Sequence, residues 1–267
     1  MLRDRVLTAL ALAVPLVWVT LAAPLAAFTS LIALILVLAA WEWARLAGLR
    51  GDAQRAAYVV CVAIVGAAAL AWQQRRPELW AWLGPTLVLW LLFTLALGRL
   101  GRMAAPLKAA LGVAVLTGAL LATTSIAAIE GGRRWVLWMF VLVWVADIAA
   151  YFGGRRFGRV RLAPSISPGK TREGLYAALV GGVIAALVAK PLVAPEHPGF
   201  GPWIGLAIVV VLISVVGDLT ESAFKRAAGL KDSGAILPGH GGVLDRIDSV
   251  LAAAPVMAAG AALAGLR

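Results

Sequence analysis

Long apolar blocks separated by short polar breaks run along nearly the whole chain. Each is close to the ~20 residues that an α-helix needs to cross a hydrocarbon core of ~30 Å. The blocks fall at 6–23, 25–41, 56–72, 79–97, 107–129, 135–152, 175–193, 203–220 and 250–266. The pattern predicts an all-α fold, a polytopic transmembrane helical bundle with about nine spans. Little more than Pro24 divides the first two blocks, so eight full spans beside a hairpin or partly interfacial pair is the alternative. The opening segment, MLRDRVLTALALAVPLVWV, has the basic start and apolar stretch of a signal peptide, but apolar character continues into the next block without a convincing cleavage context. It is read as the first span. Small residues in ALVGGVIAALVA and APVMAAGAALAG suit close packing between helices. No internal repeat or separate soluble domain is visible. Residues 1–130 read as N-terminal membrane helices, and 131–267 as a C-terminal catalytic membrane region with polar loops 153–174 and 221–249.

Composition supports this picture and narrows it. Of the 267 residues 62% are hydrophobic and 14% charged, and the mean hydropathy of +0.93 lies outside the range of soluble domains. The single cysteine, Cys61, excludes an intramolecular disulfide and a cysteine metal cluster. A net charge of +11 would point to nucleic acid in a soluble protein. Here the basic residues lie between spans, where they set topology and attract anionic lipid, so nucleic acid is not an expected partner. With the N-terminus inside, most lysines and arginines fall on the inner side, although the pairs Arg75/Arg76 and Arg133/Arg134 do not. Both long polar loops share that cytoplasmic face.

The informative residues are acidic, because a carboxylate in or beside a span is costly unless paired, solvated or metal-bound. Asp147 and Asp218 lie in the halves of their blocks nearest the two loops. From Asp218, the residues Glu221, Ser222 and Lys225 follow at helical spacing and share one polar face. Asp245 and Asp248, three apart, open the last span; Asp248 also reads as a helix cap. Three oxygen donors without cysteine or clustered histidine suggest a hard cation, most naturally Mg²⁺, whose remaining positions phosphate oxygens fill. PGHGG around His240 offers backbone amides to an anion, with Lys225, Arg226, Lys231 and Arg246 nearby. The second loop, PSISPGKTREG, groups Ser165, Ser167, Lys170, Thr171 and Arg172 before a helix start, a further anion site. No Ser/His/Asp or Cys/His nucleophile system is evident, which suits a reaction whose nucleophile is itself a phosphate.

Residues 222–248, SAFKRAAGLKDSGAILPGHGGVLDRID, resemble the full signature of the phosphatidate cytidylyltransferases, the CDP-diacylglycerol synthases of phospholipid biosynthesis. The segment 147–174 is similar to a second region of that family. The resemblance implies an inner-membrane enzyme that joins CTP to phosphatidic acid and releases pyrophosphate, with Mg²⁺ required, K⁺ assisting and a homodimer as the assembly. On this reading Asp218, Lys225, Asp245 and Arg246 are the candidate catalytic residues, and Asp218, Asp245 and Asp248 the metal ligands. Candidate substrate contacts are Ser222, Arg226, Lys231, Asp232, His240, Gly241 and Gly242 in the signature, with Ser167, Lys170, Thr171 and Asp147 upstream. The rival readings are a CTP-dependent lipid kinase and a transporter using Asp147 and Asp218 as an ion pathway.

Overall fold

A backbone in hydrocarbon has no water to bond, so its N–H and C=O groups must be satisfied within each segment, and α-helices do this. A computed structural model, which describes residues 13–75, 78–194, 196, 198–236 and 241–266, is built accordingly. Its helices are α1 (Ala13–Ala22), α2 (Leu25–Leu46), α3 (Asp52–Arg75), α4 (Leu79–Ala96), α5 (Ala105–Ala128), α6 (Gly132–Phe157), α7 (Arg172–Val193), α8 (Phe200–Ala227) and α9 (Leu244–Leu263). Among the described residues, eight of these are long and apolar enough to cross a membrane; α1 is a shorter apolar helix. Residues 6–12 of the first expected span lie outside the described residues. The protein is a multi-pass membrane protein.

Most helices overrun their apolar blocks, and three of them reach furthest into the polar loops. The polar sequence GGRR continues α6 to Phe157, α8 runs on past Lys225 and Arg226 to Ala227, and α9 begins at Leu244 rather than at 250. Helical hydrogen bonding is a backbone property and persists where the chain leaves the hydrocarbon, helped on α8 by the Glu221–Lys225 pair at i,i+4. The polar loops are therefore shorter than 153–174 and 221–249. The first also contains an element that an all-helical reading does not anticipate: strands β1 (Arg161–Ala163) and β2 (Ser167–Thr171) pair antiparallel, Arg161 opposite Thr171 and Ala163 opposite Ser167.

The bundle core runs through α5 and α9, the most buried helices, while α3 lies at the periphery. Two packing features position the site. At one end, Trp203 of α8 meets Trp135 edge-on at 5.2 Å and stacks on Trp138 at 5.5 Å. Its indole N–H donates to the Ala186 carbonyl at 2.7 Å, so α6, α7 and α8 are tied there. At the opposite end α6 and α7 come within backbone contact. A Cβ on Gly174 would sit 2.9 Å from the Ala150 carbonyl oxygen, and one on Gly154 would sit 3.0 Å from Thr171 Oγ1. That close crossing sets the hairpin over the end of α8.

Candidate active site

Helical spacing brings the polar residues of α8 onto one side. Ser222 Oγ donates to Asp218 Oδ1 at 3.2 Å, one turn away. The ammonium of Lys225 reaches Glu221 Oε2 at 2.7 Å and Asp245 Oδ1 at 2.6 Å, and so joins α8 to the start of α9. Its side chain is only 14% exposed, and those of Glu221 and Asp245 are 3% and 8% exposed. Paired charges in such a place are strongly interdependent, since removing one leaves the others without compensation. The Asp248 carboxyl lies beside those of Glu221 and Asp218.

The other oxygen of Asp245 is fixed by the loop. Oδ2 accepts the backbone N–H of Ser233 at 3.0 Å and that of Gly242 at 2.8 Å. Gly241 has a φ of +78°, a left-handed conformation that side chains disfavour, and a Cβ there would stand 2.9 Å from Asp245 Oδ2. This explains two of the glycines in PGHGG by the wrapping of the chain around a carboxylate.

The hairpin supplies the other wall. Lys170 Nζ on β2 pairs with Asp218 Oδ2 at 2.7 Å, and Asp147 of α6 lies near both. Arg226 Nε, from the end of α8, donates to the Ile166 carbonyl at 3.4 Å, linking the two loops directly. Between α6, α7, α8 and the hairpin opens a cavity of about 650 Å³, with Asp147, Asp218 and Lys170 in its lining together with Arg155, Arg159 and Arg161. That volume falls within the range of small-molecule sites. The cationic groups suit a polyanion. Asp218 belongs both to this cavity and to the carboxylate–lysine cluster, so the two are one site.

The structure brings together Asp147, Lys170, Asp218, Ser222, Lys225, Asp245 and Asp248. It places Gly241 and Gly242 at Asp245, the first by the close approach of its backbone and the second by its amide, and it leaves Lys231, Asp232 and Arg246 exposed on the neighbouring surface. Ser167 lies in the hairpin opposite Ala163. Thr171 caps α7, its hydroxyl accepting the Gly174 N–H at 3.1 Å, a local role that accounts for its burial. His240 lies outside the described residues. The helix-cap reading of Asp248 is corrected: α9 starts at Leu244, so Asp248 stands in its second turn, past the free amides. The sequence reading assigned no site role to Arg155, Arg159 or Arg161, taken there as topology signals, nor to Glu42. The latter is 2% exposed at the end of α2, and it accepts hydrogen bonds from Ser233 Oγ and from the Val243 and Leu244 amides. A lone carboxylate between two tryptophans, WEW, was the available signal.

The cluster fits a hard divalent cation by the chemistry of its donors. Among the described residues no three acidic, histidine or cysteine side chains are grouped to hold a metal unaided. Mg²⁺ does not require such a cage, since one or two carboxylates with waters and substrate phosphates suffice. The carboxylates of Asp147, Asp218, Glu221, Asp245 and Asp248 outnumber the ammonium groups of Lys170 and Lys225 that pair with them. Oε1 of Glu221 is buried without a hydrogen-bond partner, so an oxygen there is open to a cation.

A membrane bundle with an oxygen-rich, cation-lined pocket at one end defines a class, the polytopic enzymes that handle phosphates at a bilayer surface. Within it, the chain belongs to the cytidylyltransferase family, whose model matches residues 3–263. It is 39% identical to the phosphatidate cytidylyltransferase of Pseudomonas aeruginosa over 97% of this chain and 96% of that one. Phosphatidate cytidylyltransferases of Haemophilus influenzae and Brucella suis are 52% and 46% identical over 45% and 47% of this chain, and 43% and 46% of theirs.

Proposed function

We infer that this chain transfers the cytidylyl group of CTP to phosphatidic acid, giving CDP-diacylglycerol and pyrophosphate in phospholipid synthesis. The observation that carries the reading is that Asp218 joins a cationic cavity to a carboxylate–lysine cluster at one end of a membrane bundle. A water-soluble triphosphate and a lipid phosphate can meet there and nowhere deeper in the bilayer. The lysine- and arginine-rich loops support a cytoplasmic orientation for this end, and the inner membrane as its location belongs to the same reading.

A phosphate oxygen of phosphatidic acid attacks the α-phosphorus of CTP. A new P–O bond forms as the bond from that phosphorus to the oxygen bridging toward the β-phosphate breaks, and pyrophosphate leaves with the electron pair. The nucleophile is already anionic, so the protein's work is positioning and charge neutralisation. Lys170, Arg155, Arg159 and Arg161 line the cavity and offset phosphate charge. Lys225 holds Glu221 and Asp245 in place, and Ser222 orients Asp218. Arg226 keeps the hairpin against the end of α8. Asp218, with Asp245 and Asp248, would hold Mg²⁺, and the oxygen-only donor set suits the assisting K⁺ as well. Bound there, Mg²⁺ supplies Lewis-acid polarisation and charge neutralisation of the triphosphate.

Assays of CTP-dependent CDP-diacylglycerol formation test the assignment. Asp218→Ala and Asp245→Ala are each expected to lose about a hundredfold or more in kcat, the scale of removing one preorganised electrostatic contact. Near-normal turnover in either would remove that residue from the machinery.

A further inference from the structure

Glu42 comes from α2, far in sequence from the polar loops, and lies buried among them. A carboxylate there is costly unless its oxygens are satisfied. Three donors satisfy it. Val243 N–H reaches Oε1 at 3.1 Å, while Leu244 N–H and Ser233 Oγ–H reach Oε2 at 2.7 and 3.0 Å. The two amides are at the start of α9, where free N–H groups and the helix dipole favour an anion. Helix α9 has no cap from its own N-cap side chain, and Glu42 supplies one from across the bundle.

The contacts continue to the reacting groups. Ser233 gives its hydroxyl to Glu42 and its backbone N–H to Asp245 Oδ2, and Gly242, whose N–H goes to the same Oδ2, packs against Glu42 with no room for a Cβ. Gly234 is likewise closed to a Cβ by the Glu42 carboxylate. The loop is therefore fitted around Glu42 on both sides of residues 237–240. Helix α2 is a firm base for it, since the adjacent Trp43 donates its indole N–H to the Lys108 carbonyl of α5 at 2.9 Å.

We propose that Glu42 is a positioning residue for the transfer reaction: it touches neither substrate but fixes the loop amides that orient Asp245. The proposal rests on the reaction assigned above. Glu42→Gln keeps the side-chain shape and replaces one acceptor oxygen with a donor that opposes Ser233, Val243 or Leu244. The test measures kcat, the KM for each substrate and the Tm of Glu42→Gln and wild type in the same detergent, with rates expressed per folded enzyme. The expected result is a fall in kcat of about tenfold, the effect of one charge-assisted hydrogen bond, with the KM for phosphatidic acid unchanged. A kcat per folded enzyme within about twofold of wild type would mean a purely structural role and would overturn the proposal. Should Glu42→Gln fail to fold, Ser233→Ala decides, because it cuts only the hydroxyl link and leaves the amide on Asp245. A kcat reduced about threefold at wild-type Tm supports the proposal, and wild-type kcat contradicts it. Absence of CDP-diacylglycerol with the wild-type chain would refute the reaction itself, a result distinct from either variant outcome.

Discussion

Lys225 is the residue on which the cluster balances. Its single ammonium is shared by Glu221 and Asp245 from two helices, both carboxylates being nearly buried. Lys225→Met retains the length of the side chain and removes the charge. It is expected to destabilise the protein by about 3–5 kcal/mol, the cost of breaking a buried pair, as well as to abolish turnover. Thermal unfolding in detergent measures the first effect and the transfer assay the second; an unchanged Tm would show the pair to be better solvated than its burial suggests. The sequence exposed most of this cluster because each acidic residue stood out against an apolar background: Asp218, Ser222 and Lys225 fell on one face by spacing alone. Glu42 did not emerge, since nothing local in WEWAR points to a loop some two hundred residues away. Its role exists only once α2 packs beside α9. For Thr171 the sequence indicated an anion site but not its second role: its hydroxyl oxygen accepts the α7 cap amide while the residue also lines the cavity.

At the level of elements, the crossing of α6 and α7 shapes the cavity. Gly154 and Gly174 let the backbones touch, and β2, which carries Lys170, leads directly into α7. Gly174→Val should force the helices apart, costing about 1–3 kcal/mol as overpacking does, and should raise the KM for CTP by moving Lys170 away from Asp218. Kinetics alongside a melting curve check both; an unaltered KM would show that the cavity tolerates a wider crossing. Hydropathy marked these helices well within their apolar blocks and poorly at their ends. An extension such as GGRR carries no apolar signal, although the backbone simply continues its ladder. The hairpin was hidden for a related reason: its strands are short and for the most part half-buried or exposed, with no buried alternation to betray them.

At the scale of the whole molecule, the proposed function needs the cavity at one end of the bundle to take the nucleotide at the membrane surface, within reach of a lipid phosphate whose acyl chains stay among the helices. The positive-inside bias and the signature both indicated that end before any coordinates, and the joining of the two loops through Arg226 and through Lys170 and Asp218 is what the fold adds. The central claim is that, in this shared site, a phosphate oxygen of phosphatidic acid attacks the α-phosphorus of CTP. It is tested most directly with CTP labelled at either the α- or the γ-phosphate, supplied to the purified protein with phosphatidic acid. The account predicts α-label in the lipid product and γ-label only in pyrophosphate. Transfer of γ-label to lipid with release of CDP would contradict it and identify a lipid kinase instead.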